Sequence, residues 1–333
     1  MLNSYRSVLF VEAMINGENS LRYIDRERWV FFLRGLNAMH KSKQWLTVIF
    51  RWFIAIGLLV IILNKTDNDL LWQTLRGFNP AFGLLLVVCH IAVLMLMAYR
   101  WRLIAQQLSV EADYADYLKA IWIGALSGQI GPPLIFSEVA RFKVLQDYGD
   151  NQSLIGSQVL DRLSGLVALV FILLLTLPLN WPVFAQMIPV ATLLQSLTIL
   201  AISGVVLFRV VLSMKTRALM DRNKISEVMS LGQSHYELSS LIQLLLMLGF
   251  LLAAYGLGVP KLPFTLFTLL PLIFAGLTLL PISISDWGTR EMFAVYVLSF
   301  AGLQAEESAA ISIIFGFSYS LTTLLGLFFL LKK

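Results

Sequence analysis

The sequence predicts an all-α fold: a polytopic membrane bundle of about six full spans and two broken, re-entrant elements, with the two breaks related as an inverted repeat. Three observations predict it. Hydrophobic residues make up 58% of the 333 and charged residues only 14%, against about 25% charged in soluble domains, and mean hydropathy is +0.78. The apolar residues gather into runs of about 20, the length that crosses a bilayer as a helix. Two of those runs are interrupted by Gly and Pro next to Arg and Glu.

The full spans fall at 45–64, 80–99, 163–179, 186–210, 239–259 and 308–331. The stretch 116–135 is poorer and ends in Gly128, Gly131, Pro132 and Pro133. The stretch 262–282 carries Pro263, Pro271 and Pro281, and 290–303 is short. Residues 1–44 hold Arg6, Arg22, Arg26, Arg28, Arg34, Lys41 and Lys43 and no run long enough to span. They read as a basic cytoplasmic extension preceding a transmembrane domain at 45–333; Met39 is an alternative start just before the first span.

Charge sets the orientation, because Lys and Arg collect in cytoplasmic loops. A cytoplasmic N-terminus sends the first helix out and brings the second back. Arg100 and Arg102 then lie inside, with Trp101 between them, as an interfacial anchor capping the second span. Arg141, Lys143 and Arg162 are basic too, so 116–135 must enter and turn back at its Gly-Pro-Pro. Arg209, Lys215, Arg217, Arg222 and Lys224 fall inside; Lys261, Glu306 and Glu307 fall outside if 262–303 is re-entrant from that side. The C-terminus, Lys332-Lys333, is then cytoplasmic. The expected location is a bacterial inner membrane.

The breaks resemble each other. Glu138, Val144-Leu145 and Gly149 recur at identical offsets as Glu291, Val297-Leu298 and Gly302. Three spans separate them, so they insert in opposite senses, as in many transporters.

Charges at membrane depth cost about 2.5–3.5 kcal/mol each on insertion scales and therefore pair and face cavities. Glu138 and Arg141 sit three apart, on one helix face. Asp161-Arg162 open the next span. Asp286 lies in the second turn, and Arg290-Glu291 follow Gly288. Arginine forks take phosphate bidentately, and helix N-termini after Pro133 and Gly288 favour an anion. Glu138, Arg141, Asp161, Arg162, Asp286, Arg290, Glu291, Arg100 and Arg102 are thus the candidate binding residues, around a polar cavity. Gly128, Gly131, Pro132, Pro133, Pro281 and Gly288 are the structural breaks. The net charge of +5 is spread among loops and does not point to nucleic acid. Cys89 is the single cysteine and leaves no intramolecular disulfide. His40, His90 and His235 lack metal-ligand spacing; no metal, cofactor or catalytic constellation is expected, and an enzyme is not.

These motifs bring a family into view. Arg100-Trp101-Arg102, the run from Pro132 through Glu138 to Arg141, Asp161-Arg162, and the stretch from Leu280 to Glu291 resemble the flippase-like family named for the membrane domain of lysylphosphatidylglycerol synthase, over residues 45–331. Ser137 stands where that family usually has Gly, and Asp286-Trp287 replaces a Gly-rich stretch. The resemblance implies movement of phospholipids or polyprenyl-phosphate-linked sugars between leaflets. Nothing in the chain resembles the aminoacyl transferase domain fused to some members. Rival readings are a membrane-embedded transferase, for which the 211–238 loop offers Asp221, Glu227, His235 and Glu237 without catalytic spacing, a small-solute transporter, and an accessory subunit anchoring a partner enzyme of envelope biosynthesis.

Overall fold

The computed structural model describes residues 44–131, 133–187, 234–259, 264–279, 283 and 285–331. The basic extension (but for Gln44), the expected span at 186–210 (but for its first two residues), the basic 209–224 stretch, Glu227, Pro132, Lys261, Pro263, Pro281 and Lys332-Lys333 lie outside those residues.

Every regular element described is helical. The helices are α1 (Gln44–Lys65), α2 (Asn68–Arg76), α3 (Pro80–Gln107), α4 (Tyr114–Ile130), α5 (Pro133–Leu145), α6 (Asn151–Thr176), α7 (Trp181–Met187), α8 (Ser234–Gly256), α9 (Phe264–Leu279), α10 (Thr289–Ser299), α11 (Ala305–Thr323) and α12 (Gly326–Leu331). Among the described residues four stretches are long and apolar enough to span: Pro80–Gln107, Asn151–Thr176, Ser234–Gly256 and Ala305–Leu331. The pair α1 and α2 passes the same test only taken together, and the two are bent by 100° at their break. Asp67 makes that bend by capping α2, its carboxylate accepting from the amides of Asp69 and Leu70. Such a side chain satisfies helix-start donors and frees the chain to change direction.

Two spans are longer than the apolar runs suggest. The run ending at residue 99 continues as helix to Gln107, and the run beginning at 163 starts as helix at Asn151, capped by Asp150. Arg100 and Arg102 therefore do not end their helix and Asp161-Arg162 do not begin theirs; all four are interior helix residues, beside the points where the apolar stretches stop and start. Hydropathy marks where a helix enters lipid, whereas helices continue past that plane when their ends find caps.

The poorer apolar stretches form two helical hairpins. At 17 and 13 residues, α4 and α5 are each about 20–25 Å long at 1.5 Å per residue, short of the ~30 Å hydrocarbon layer. They run antiparallel: the amide of Glu111, before α4, donates to the carbonyl of Tyr148, after α5, at 3.0 Å. Gly128 lies within α4, so the turn is made by Gly131 in extended backbone. Pro133 opens α5, where its missing N–H costs nothing. Gly131 is buried under the Phe136 ring, and irregular backbone at membrane depth is tolerated when covered by protein. The pair α9 and α10 repeats the arrangement, with Gly276 against the Phe293 ring.

Between the hairpins α3 and α8 pack antiparallel. Asn79 N donates to Gly256 O, Leu86 meets Gly249, Cys89 Sγ donates to Leu245 O, and Arg100 reaches Ser239. Gly249 and Gly256 leave room for Leu86, Phe78 and Phe82, the small-residue contact that brings membrane helices close. Buried Leu86, Met247, Phe250, Leu269, Leu270, Ile273 and Phe315 form the larger core; Leu94, Trp101, Tyr117, Ile121, Leu145 and Leu154 form the second, around the first hairpin.

Candidate functional site

A ladder of alternating charge runs through α3, α5 and α6. Arg100 Nε donates to Asp161 Oδ1 at 2.8 Å, and Arg141 Nη2 to Asp161 Oδ2 at 2.9 Å. Arg141 Nη1 reaches Glu138 at 3.2 Å, and Arg162 Nε donates to Glu138 Oε1 at 3.1 Å. Asp161 is thus bridged on both oxygens by two buried arginines. Arg100 also donates to Ser239 Oγ on α8, which shares a 2.6 Å hydrogen bond with Ser164 Oγ. Gln158 Nε2 donates to the carbonyl of Glu138.

Trp101 organises this side. It is fully buried, donates from Nε1 to Ser157 Oγ at 3.0 Å, and carries the Arg141 guanidinium 4.1 Å over its ring. Glycines make the slots: a Cβ on Gly124 would stand 2.7 Å from Arg141 Cγ, and one on Gly165 3.4 Å from Arg100 Nη1. Arg102 stands apart from the ladder, with its Nε buried and without a hydrogen-bond partner.

The second hairpin carries a closed counterpart. Glu291, fully buried, accepts at Oε2 from the Gly288 amide (2.6 Å) and at Oε1 from Arg290 Nη2 (2.8 Å) and Ser312 Oγ (3.0 Å). Arg290 lies against Gly316, with Trp287 and Phe315 5.0 and 5.9 Å from its guanidinium carbon. Gly288 adopts φ +81°, and Ser285 and Asp286 just before it also have positive φ. For a serine that backbone is uncommon and costs energy. Asp286 gives its carbonyl to the Arg290 amide.

The hairpin tips meet. Gln129 Oε1, one residue from the end of α4, accepts from Ser285 Oγ at 2.7 Å and from Ser320 Oγ of α11 at 3.0 Å. Near the centre of α3, His90 pairs through Nδ1 with Ser318 Oγ (3.2 Å) and packs edge-on against Phe315 and Tyr319, its Nε2 buried without a partner.

The structure therefore joins Arg100, Glu138, Arg141, Asp161 and Arg162 in one network and Arg290 and Glu291 in another, and the two hairpins touch at their tips through Gln129 and Ser285. Arg141 and Arg290 are each 4% exposed and already held by carboxylates. Sequence reasoning missed Gln129, Ser164, Ser239, Ser312 and the slot glycines. Small polar residues and glycines are common in membrane helices, and none carries a charge to single it out. Among the described residues no cluster of three or more His, Cys, Asp or Glu is placed to hold a metal ion.

Buried, paired charges on and beside two helical hairpins, inside a bundle of apolar helices, define an integral multi-pass membrane protein with a polar interior. The profile of the family described as lysylphosphatidylglycerol synthase TM region matches residues 48–326, and the chain belongs to that family. Comparison with curated proteins and with solved structures found no match.

Proposed function

We propose that this protein is a lipid translocase: it moves a phospholipid or a lipid-linked glycan intermediate between leaflets, passing the headgroup between the two hairpins while the tails stay in the bilayer. The observation that carries the reading is the meeting of the two hairpin tips at Gln129 and Ser285, with an arginine–carboxylate network behind each tip. Transporters of inverted-repeat architecture place such broken elements face to face near the midplane. Two further facts support an inverted repeat: α3 and α8 are antiparallel, and each precedes a hairpin and a long helix in the same order, α3–α6 and α8–α11. The reading puts both chain ends in the cytoplasm of a bacterial inner membrane and assigns transport, not catalysis.

The test is a vesicle assay. Purified protein in phospholipid vesicles should speed the inward movement of a fluorescent phospholipid analogue, read by quenching from outside. In a Cys89→Ser background, Gln129→Cys with Ser285→Cys bridged by a short bis-methanethiosulfonate should stop that movement, and reduction should restore it. Vesicles no faster than protein-free ones across phospholipid and polyprenyl-phosphate analogues would end the translocase reading and favour a solute transporter or an accessory subunit.

A further inference from the structure

The two charge networks are not alike. That of the second hairpin is sealed: Glu291 and Arg290 have side chains 0% and 5% exposed and satisfy each other. That of the first opens by degrees, from Arg162 at 44% through Glu138 at 18% to Arg141 at 4% and Asp161 at 2%. Arg162 stands where the apolar stretch of α6 begins, with Leu163 to Thr176 beyond it. That is headgroup depth, and the ladder leads inward from it.

Its members differ in tightness. Asp161 holds Arg141 at 2.9 Å, whereas Glu138 holds the same guanidinium at 3.2 and 3.4 Å. Charge-assisted N–H···O bonds are usually 2.7–2.9 Å, so Glu138 is the loose partner of Arg141, while its tight bond, 2.5 Å at Oε1, is to Arg162 Nη2 at the exposed end of the ladder. The ladder has three guanidiniums against two carboxylates and is one positive charge in excess. Arg141 Nε is buried with no hydrogen-bond partner, a donor that the present arrangement leaves unused.

From these observations we infer that Glu138 is a built-in stand-in for a phosphodiester anion: the lipid phosphate enters past Arg162, displaces the Glu138 carboxylate from Arg162 and Arg141, and is held there. A phosphodiester carries the same single negative charge as the carboxylate it replaces and two free oxygens to bridge the two arginines bidentately. Glu138 is exposed enough to swing out and keep its charge hydrated. Asp161 and Arg100 do not exchange; they hold Arg141 in place over Trp101. The inference rests on the translocase reading for the source of the anion, and it names the leaflet-side gate of that path.

The test reads binding, separately from transport. The full chain, purified in micelles doped with phosphatidylglycerol, whose only charge is one phosphodiester, is weighed intact by native mass spectrometry. Glu138→Gln removes the competitor and should raise lipid retention about tenfold, the worth of one lost charge-assisted hydrogen bond. Adding Arg162→Ala should cancel the gain, and Arg162→Ala alone should lower retention below wild type. Millimolar inorganic phosphate should not displace the lipid; if it does, the site takes a soluble anion and the translocase reading falls while the stand-in survives. Equal or lower retention in monodisperse Glu138→Gln, or unchanged retention in Arg162→Ala, overturns the inference. A binding gain without vesicle transport would leave the inference intact and remove only the translocase.

Discussion

At the residue scale, the least replaceable side chain of the first network is Asp161. It is 1% exposed and bridges Arg100 and Arg141, one oxygen to each. Removing one partner from a buried ion pair leaves an uncompensated charge, which costs about 3–5 kcal/mol. Asp161→Asn is isosteric and takes the carboxylate from two guanidiniums at once, leaving Arg100 with Ser239 and Arg141 with only its longer bonds to Glu138, so it should lower the thermal midpoint of the solubilised protein by several degrees. Glu138→Gln should lower it much less, because Arg141 retains Asp161. An Asp161→Asn midpoint equal to wild type would mean that water reaches both arginines. Charge made these residues legible in the sequence, since Asp161, Arg141 and Arg100 stand out in an apolar chain. Their partnerships were not legible: the Arg100–Asp161 bond spans 61 residues, and only the helix extensions to Gln107 and back to Asn151 bring its two ends to one depth.

At the element scale, the hairpins depend on glycines whose roles differ. Gly288 starts α10 with φ +81°, and a Cβ there would stand 2.7 Å from the Ala55 carbonyl oxygen of α1. Gly302, with φ +82°, faces open space. An L-residue at either position would cost about 1–2 kcal/mol for the positive φ, and overpacking adds roughly 1–3 kcal/mol at Gly288 alone. Gly288→Ala should therefore be the more destabilising by about that increment in an unfolding titration. Equal losses would show that α1 yields to the added methyl and that backbone strain dominates. The hairpins were foreseen from Gly-Pro signals at poor apolar stretches, and their antiparallel return from the placement of basic residues. Gly128 misled, because glycine inside an apolar helix serves packing as often as it ends the helix; Gly131, next to two prolines, was the true terminator.

At the scale of the whole molecule, α3 sets the frame. Its 28 residues span about 42 Å at 1.5 Å per residue, the thickness of a bilayer with its headgroups. At one end lie the α1–α2 bend and the start of α11, tied together by the Asp67 amide and Glu306 Oε1 at 2.8 Å. At the other lie the loops flanking the first hairpin, tied by Glu111 and Tyr148. The antiparallel α4–α5 hairpin leaves both of its ends on one side, whereas two helices that together made a single crossing would not bring residues 111 and 148 together. In a Cys89→Ser background, exposed Asn68→Cys and Asp147→Cys should then react with a membrane-impermeant maleimide from opposite sides of the membrane. Gln304→Cys should follow Asn68→Cys, and Glu111→Cys should follow Asp147→Cys. The positive-inside pattern assigns the Asp147 side to the cytoplasm, so in intact cells only Asn68→Cys and Gln304→Cys should label, and all four should label after lysis. Labelling of Asp147→Cys in intact cells would reverse the orientation, and the Arg162–Glu138 gate would then face the outer leaflet, turning the direction of lipid entry around without changing the chemistry of the site.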